Sequence, residues 1–461
     1  MRGHLEVGLA RVTVAAPHRR IDVALPEQVP VADLLPGLLR LAGEALAEEG
    51  ESHGGWILRR GEGRPLETGR PLAAQQVRDG EILHLVPYRL DWPEPDYDDV
   101  AEAIASGARR HAPPWNGQAT LAFGIATVGA LLAIGLYPVL SYGRDWLLPG
   151  LFAFGVAVVL VCLGAVLARA LADARSGAAL AAFSLPYAFV GGLLILGVDQ
   201  PMSGFGAPHL MLGSAALLLF SVLGFFGVAG RGRLFVAGAL AGLFGVVGSV
   251  VAQHASTAGV AAVLTVALVA AVVGFPLLAM RLGRLPLPGV PQTPADLLAD
   301  PAPDSARVFA AVARADELLT GMLVGASVVH TVTAMALVMR GGLTGAVLVA
   351  VVALLNLLRA RQFIAVRHRL PLLLAGLAGL VAVAVGGLAG TTPTQRLVIG
   401  SIGVLVVGSV VLAAALAYSR RQPSPYLSRA AEILDIVLIV AVVPIACSVL
   451  GLFDFVRGFG G

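Results

Sequence analysis

Residues 147–168 read LLPGLFAFGVAVVLVCLGAVLA, an apolar run without one charged side chain. A helix rises 1.5 Å per residue, so about 20 such residues cross the roughly 30 Å hydrocarbon core of a bilayer. The pattern recurs in both directions along the chain. Segments at about 119–140, 147–168, 178–198, 209–229, 234–252, 258–280, 318–339, 342–358, 370–390, 396–418 and 431–452 all qualify as spans. The 342–358 run is short, with Asn356 near its end. Only Gly230-Arg231-Gly232-Arg233-Leu234 separates the fourth span from the fifth, which predicts a tight helical hairpin. The fold class is therefore an α-helical polytopic membrane protein of about 11 transmembrane helices, preceded by a different kind of domain.

Composition narrows the function. The chain of 461 residues is 57% hydrophobic and 13% charged, against about 25% charged in a soluble domain. A net charge of +3 is too small to suggest nucleic acid, and the basic residues lie between apolar runs rather than in one patch. All of them are arginine. Cys162 and Cys447 both fall inside apolar runs, make neither a disulfide framework nor a metal set, and read as small packing residues. Near the start, Arg2 and Glu6 stand in a mixed stretch with no apolar signal core, so the first domain is expected in the cytosol.

Arginine placement orients the spans. On the side of the N-terminal domain lie Arg109, Arg110, Arg169, Arg175, Arg231, Arg233, Arg281, Arg284, Arg307, Arg314, Arg359, Arg361, Arg367, Arg369, Arg420, Arg421 and Arg429, seventeen in all. The other side has four: Arg144, Arg340, Arg396 and Arg457. Cytoplasmic loops carry the excess of positive charge, so the N-terminus is expected inside and, with an odd number of spans, the C-terminus outside. Trp115, Tyr137, Tyr142, Trp146, Tyr187 and Tyr418 are expected at headgroup level.

Residues 1–90 read as a compact mixed domain. Arg11-Val12-Thr13-Val14 and Ile21-Asp22-Val23-Ala24-Leu25 alternate around a break at Pro17-His18-Arg19, which predicts a hairpin. An amphipathic helix follows from about Asp33, with Leu34, Leu35, Leu38, Leu41 and Ala42 on one side, where Pro36 fits only in the first turn. Trp56-Ile57-Leu58 and Ile82-Leu83-His84-Leu85-Val86 complete the order of a β-grasp domain. Arg64-Pro65-Leu66-Glu67-Thr68-Gly69-Arg70-Pro71-Leu72, with Val77, Gly80 and the final strand, resembles the second half of ubiquitin. This head runs on into Pro87-Tyr88 and a linker at 91–118, so it reads as a binding module rather than a conjugated tag. Asp96, Asp98 and Asp99 head a short capped helix in the linker. The loop at about 281–317 has helix starts at Thr293-Pro294-Ala295-Asp296 and at Asp304, and is expected to dock a partner. The spans occupy 119–452, and 453–461 form an outer tail.

Ionisable groups inside a membrane mark transport pathways. His330 lies near the middle of the seventh span with no carboxylate in its turn, and reads as a buried, helix-bridging residue. His254, Asp199, Glu317, Glu432, Asp435 and Asp454 fall near span ends, where the interface accounts for them. Gly238 with Gly242, and Gly386 with Gly390, are spaced for close helix approach. Pro276, Pro371 and Pro444 are placed to kink or end their spans. Neither a phosphate-binding GxxxxGK[ST] loop nor an HExxH or GxSxG motif is present. No catalytic, cofactor-binding or metal-binding residues are assigned, no cofactor is expected, and the chain reads as a non-enzyme.

Val29-Pro30-Val31-Ala32-Asp33-Leu34-Leu35-Pro36, the later Gly69-Arg70-Pro71-Leu72, and a cytosolic ubiquitin-like domain linked to eleven spans together resemble the EccD family. That family is the polytopic subunit of the actinobacterial type VII (ESX) secretion machinery. The resemblance implies a structural subunit of the cell membrane. It also implies a second copy of the same chain enclosing a lipid-filled vestibule, an FtsK-like ATPase subunit (EccC) docked by the head, and EccB and EccE companions. The rival from another class is a secondary transporter or permease with a regulatory cytosolic domain; missing ionisable sites and missing inverted repeats argue against it.

Overall fold

The computed structural model describes residues 8–17, 19–43, 46, 55–61, 64–88, 115–143, 145–197, 201–228, 232–286, 305–420 and 425–453, without the side chains of 305, 417–420 and 425. The chain divides into two compact units, Met1–Trp115 and Asn116–Gly461. The linker acids at 96–99 and the helix starts at 293–296 and 304 lie outside the described residues.

In the first unit, β1 (Leu9–Ala15) and β2 (Arg20–Pro26) form an antiparallel hairpin, closed by the Ala16 amide donating to the Arg19 carbonyl at 2.9 Å. Helix α1 (Val31–Ala42), β3 (Trp56–Arg60), a 3-10 turn (Ala73–Gln75) and β4 (Ile82–Pro87) follow. The sheet order is β2-β1-β4-β3, with β1 parallel to β4 and β3 antiparallel to it. First and last strands lie side by side at the centre with one helix packed on them, which is the ubiquitin-like β-grasp. Alternation sends Ala10, Val12 and Val14 inward against Val31, Leu38 and Ala42 of α1.

Helix α1 begins two residues earlier than the sequence pattern predicts, so Pro36 sits in its second turn rather than its first. The start is set from outside the helix. The amides of Ala32 and Val31 donate to the carbonyls of Thr68 (2.8 Å) and Arg70 (3.2 Å), and Pro30 bridges to Pro71. Backbone acceptors thus satisfy two of the amides that every helix start leaves open. Leu41 is 54% exposed instead of buried. At 100° per residue, positions 31, 38 and 42 share one face and position 41 lies about 100° off Ala42.

The second unit is helical: α2 (Gly117–Leu140), α3 (Leu147–Arg169), α4 (Ala174–Ala182), α5 (Ser184–Leu194), α6 (Ala207–Gly227), α7 (Arg233–Val251), α8 (Thr257–Leu282), α9 (Ser305–Arg340), α10 (Gly342–Arg359), α11 (Val366–Ala389), α12 (Pro393–Arg420) and α13 (Pro425–Val449). Among the described residues, eleven helices are long and apolar enough to cross a membrane, α4 and α5 counting as one. That third span starts at Ala174, where the Asp173 carboxylate accepts from the amides of Arg175 (3.1 Å) and Ser176 (3.0 Å), and it is interrupted at Phe183. Helix α9 is 36 residues long and runs unbroken from Ser305 into the seventh span, as the helix start at Asp304 predicts. Pro276, Pro371 and Pro444 sit inside α8, α11 and α13 and end none of them.

Small residues set the helix spacing. Helices α6 and α7 form the expected hairpin, and a Cβ on Gly242 would stand 2.8 Å from the Leu218 amide nitrogen. Gly238 faces Ser221 in the same contact. Of the second expected pair, Gly386 packs on Val338 while Gly390 meets no neighbour. Two of the expected interfacial aromatics are interior. Tyr187 donates its hydroxyl to the Leu132 carbonyl at 2.7 Å, and Trp146 packs edge-on against Phe205. Each is 3% exposed, because a buried ring with a polar tip is stable where that tip finds an acceptor or the ring finds a partner. Trp115, Tyr137 and Tyr142 are exposed, and the Tyr418 side chain lies outside the described residues. Cys162 is also exposed on α3, not packed inside.

Helices α3 to α7 share one core, and α8, α9, α10, α11 and α13 share the others. Helices α2 and α12 differ: none of the most apolar stretch of either is buried. Substituting Gly242 with Leu forces the α6–α7 contact apart. The expected loss is about 1–3 kcal/mol, read as a lower midpoint in thermal unfolding of the detergent-solubilised chain. Gly387→Ala, where a Cβ meets nothing, leaves the midpoint unchanged or raises it.

Candidate functional site

Two places in the helical unit bring buried polar side chains of different helices together. The first is an interior chamber between α8, α9, α10 and α11. His330 and Thr333 lie one turn apart on α9 and so share a face; Thr265 comes from α8 and Asn356 from α10. All four are buried, with exposures between 2% and 4%. The Thr265 hydroxyl lies 3.2 Å from that of Thr333, which donates to the His330 carbonyl at 3.1 Å. They line a small void together with Leu337, Val349, Val352 and Gly379. Its volume is about 10 Å³, room for about one water. Neither ring nitrogen of His330 has a hydrogen-bond partner among the described residues. No carboxylate lines the void.

The second place holds two charged contacts, one joining α8, α10 and α13 and one joining α9 and α11. Arg359 stands one turn beyond Asn356 on α10 and is 4% exposed. Its Nη1 donates to the Val269 carbonyl at 2.8 Å, and its Nε lies 4.0 Å from Asp435 Oδ1. Asp316 Oδ2 pairs with Arg367 Nη1 at 2.6 Å, and His368 Nε2 lies 3.3 Å from Asp316 Oδ1. That last approach is not a hydrogen bond, and His368 Nε2 has no hydrogen-bond partner among the described residues.

Two sequence expectations change here. Asp435 was assigned to the membrane interface, yet its side chain is only 14% exposed and faces Arg359. Arg359 was counted as a loop arginine, yet it belongs to the last turn of α10 and is buried. An ionised side chain in a low-dielectric interior requires a partner; here the two charges face each other across 4.0 Å, and Asp435 Oδ1 takes no hydrogen bond among the described residues. The pair joins positions 76 residues apart in sequence, so no local spacing signals it; the only hint was an arginine one turn from Asn356. The other candidates scatter. His254 is exposed in the turn after α7 and Glu432 pairs with Arg429 at 3.2 Å. Glu317 is half-buried beside Asp316 on α9, while Asp199 and Asp454 lie outside the described residues. No group of three or more His, Cys, Asp or Glu is placed to hold a metal ion among the described residues. The arrangement ties helices together; it pairs no nucleophile with a base.

Comparisons with known proteins agree across the chain. The family model described as the EccD-like transmembrane domain matches residues 120–459. The model for YukD, a protein of the WXG100 protein secretion system, matches residues 9–85. The chain is 27% identical over 474 aligned positions to "ESX-4 secretion system protein eccD4" of Mycobacterium tuberculosis, covering 98% of this chain and 97% of that one. It is 27% identical to "ESX-3 secretion system protein EccD3" of the same species over 47% of this chain and 46% of that one. Among solved structures, protomer 1 of the ESX-3 core complex aligns over 97% of this chain and 100% of its own, with a TM-score of 0.59 and 21% identity. The MycP5-free ESX-5 inner membrane complex aligns over 88% of this chain and 100% of its own, with a TM-score of 0.59 and 19% identity.

The Arg359–Asp435 contact makes a direct prediction. Arg359→Met strands Asp435 in the interior and is expected to cost about 3–5 kcal/mol, seen as a large drop in thermal midpoint. Arg359→Met combined with Asp435→Leu recovers most of that loss. Equal loss in the single and double variants would show that the pair carries no energy.

Proposed function

The chain belongs to the EccD family, and from that premise we propose that it is a non-catalytic core subunit of a type VII secretion machine in the cell membrane. The observation that carries this reading is the joint match of one chain: a ubiquitin-like head matched by a secretion-system model, followed by the family's membrane domain over nearly all the remainder. The charged side chains of the helical unit support it, because Arg359 faces Asp435 and donates to the Val269 carbonyl while Asp316 pairs with Arg367.

In this reading the chain divides into a cytosolic head (1–90), a linker (91–118), the spans (119–452) and an outer tail (453–461). With the buried Arg359 set aside, sixteen arginines against four support a cytoplasmic N-terminus and an extracytoplasmic C-terminus. The head docks the FtsK-like ATPase subunit EccC, while EccB and EccE complete the protomer. Apolar helices with unpacked faces, α2 and α12 above all, are the surfaces that a second copy of the chain and lipid would cover to form a vestibule.

Gentle detergent extraction with an N-terminal affinity tag, followed by mass spectrometry of the large particle, tests the assembly. Stoichiometric FtsK-like ATPase and single-span companions are expected; a small particle of this chain alone would return the transporter reading to first place. Deleting residues 1–90 should abolish ATPase association while the spans still insert. His330→Leu is expected to leave export of the secreted proteins intact, whereas a transporter relying on that buried group would lose its activity.

A further inference from the structure

We propose that the chamber between α8, α9, α10 and α11 binds one internal water molecule, held by the His330 ring and the hydroxyl oxygens of Thr265 and Thr333. The argument is one of hydrogen-bond supply. A neutral imidazole carries one donor and one acceptor, and both ring nitrogens of His330 face the interior without a protein partner among the described residues. Leaving buried polar atoms unpaired is costly, and native interiors rarely do so.

The threonines cannot serve the ring by themselves. The Thr333 hydroxyl proton goes to the His330 carbonyl, and the Thr265 proton goes to the Thr333 oxygen. Each hydroxyl has one proton to give, so both retain only acceptor capacity, and the ring's acceptor nitrogen needs a donor. Water carries two. One proton reaches the ring's acceptor nitrogen and the other reaches a threonine oxygen, while the water oxygen accepts from the Asn356 amide, which lines the same void.

Size and charge select the same occupant. A void of about 10 Å³ has room for about one water and none for an organic ligand, and no cationic side chain among the described residues lines it to pair with an anion. A cation is disfavoured by Arg359, one turn from Asn356 on α10. The bound water would add a polar link among three helices already joined by the Thr265–Thr333 bond and by Arg359 donating to the Val269 carbonyl. This inference concerns the helical unit itself and stands whether or not the secretion reading does.

A double-mutant cycle on the full chain in detergent tests it. Thr265→Val removes one oxygen at constant shape and is expected to lower the thermal midpoint by about 1–2 °C. His330→Leu removes the polar demand, so in that background Thr265→Val should shift the midpoint by less than half as much. Equal shifts in both backgrounds would overturn the proposal. A high-resolution cryo-microscopy map of the intact chain decides independently of any variant. Rounded density within hydrogen-bond distance of the His330 ring and a threonine oxygen supports the water. A ring bonded directly to Asn356, with no such density, refutes it.

Discussion

Inside a bilayer a polar group has no water to fall back on, and that constraint shapes the helical unit more than any other. Backbone amides and carbonyls must pair within each segment, which leaves helices as the spanning form for this chain. Charged side chains face the same demand. Arg359 meets it with the Val269 carbonyl and Asp435, and Asp316 meets it with Arg367. Arg169 ends α3 by donating to the carbonyls of Phe226 and Gly227 at the close of α6. Such contacts spend the arginine's five donors on acceptors a helix end leaves open.

Because lipid tails are as apolar as leucine, burial alone does not press these helices together. Close contact has to come from shape, and small residues supply it. Gly164 on α3 and Gly177 on α4 face each other so closely that a Cβ on either would stand within 2.7 Å of the opposite helix. Gly242 does the same for α6 and α7. Where such residues are not met by a neighbour, as along α12, the helix stays apolar and unpacked. Unevenness of this kind is how a membrane subunit divides its surface between internal packing and faces left for lipid or for other chains.

The head solves a different problem, since water surrounds it and burial does drive its folding. Its alternating strands place Val12, Val14, Leu58, Leu83 and Leu85 inward without further instruction. The β-grasp order was legible from those alternations, from the turn signals and from the resemblance at Arg64–Leu72. The start of α1 was not, because its first amides are satisfied by carbonyls of Thr68 and Arg70, residues more than thirty positions away. A proline that local rules confine to a first turn is held in the second by that tertiary contact.

Length and hydropathy by themselves determined the eleven spans and their approximate limits, because a bilayer imposes one thickness on every helix that crosses it. Alternation determined the head. Only the tertiary structure decided how the polar residues are used. Asp435 looked interfacial and is the partner of Arg359; Tyr187 looked interfacial and bonds to α2; His330 looked solitary and shares a chamber with Thr265, Thr333 and Asn356. A span's hydropathy is a property of its own residues, whereas a buried charge or hydroxyl is defined by what another helix brings to it. That partner is fixed by packing between segments far apart in the chain, and no local pattern encodes it.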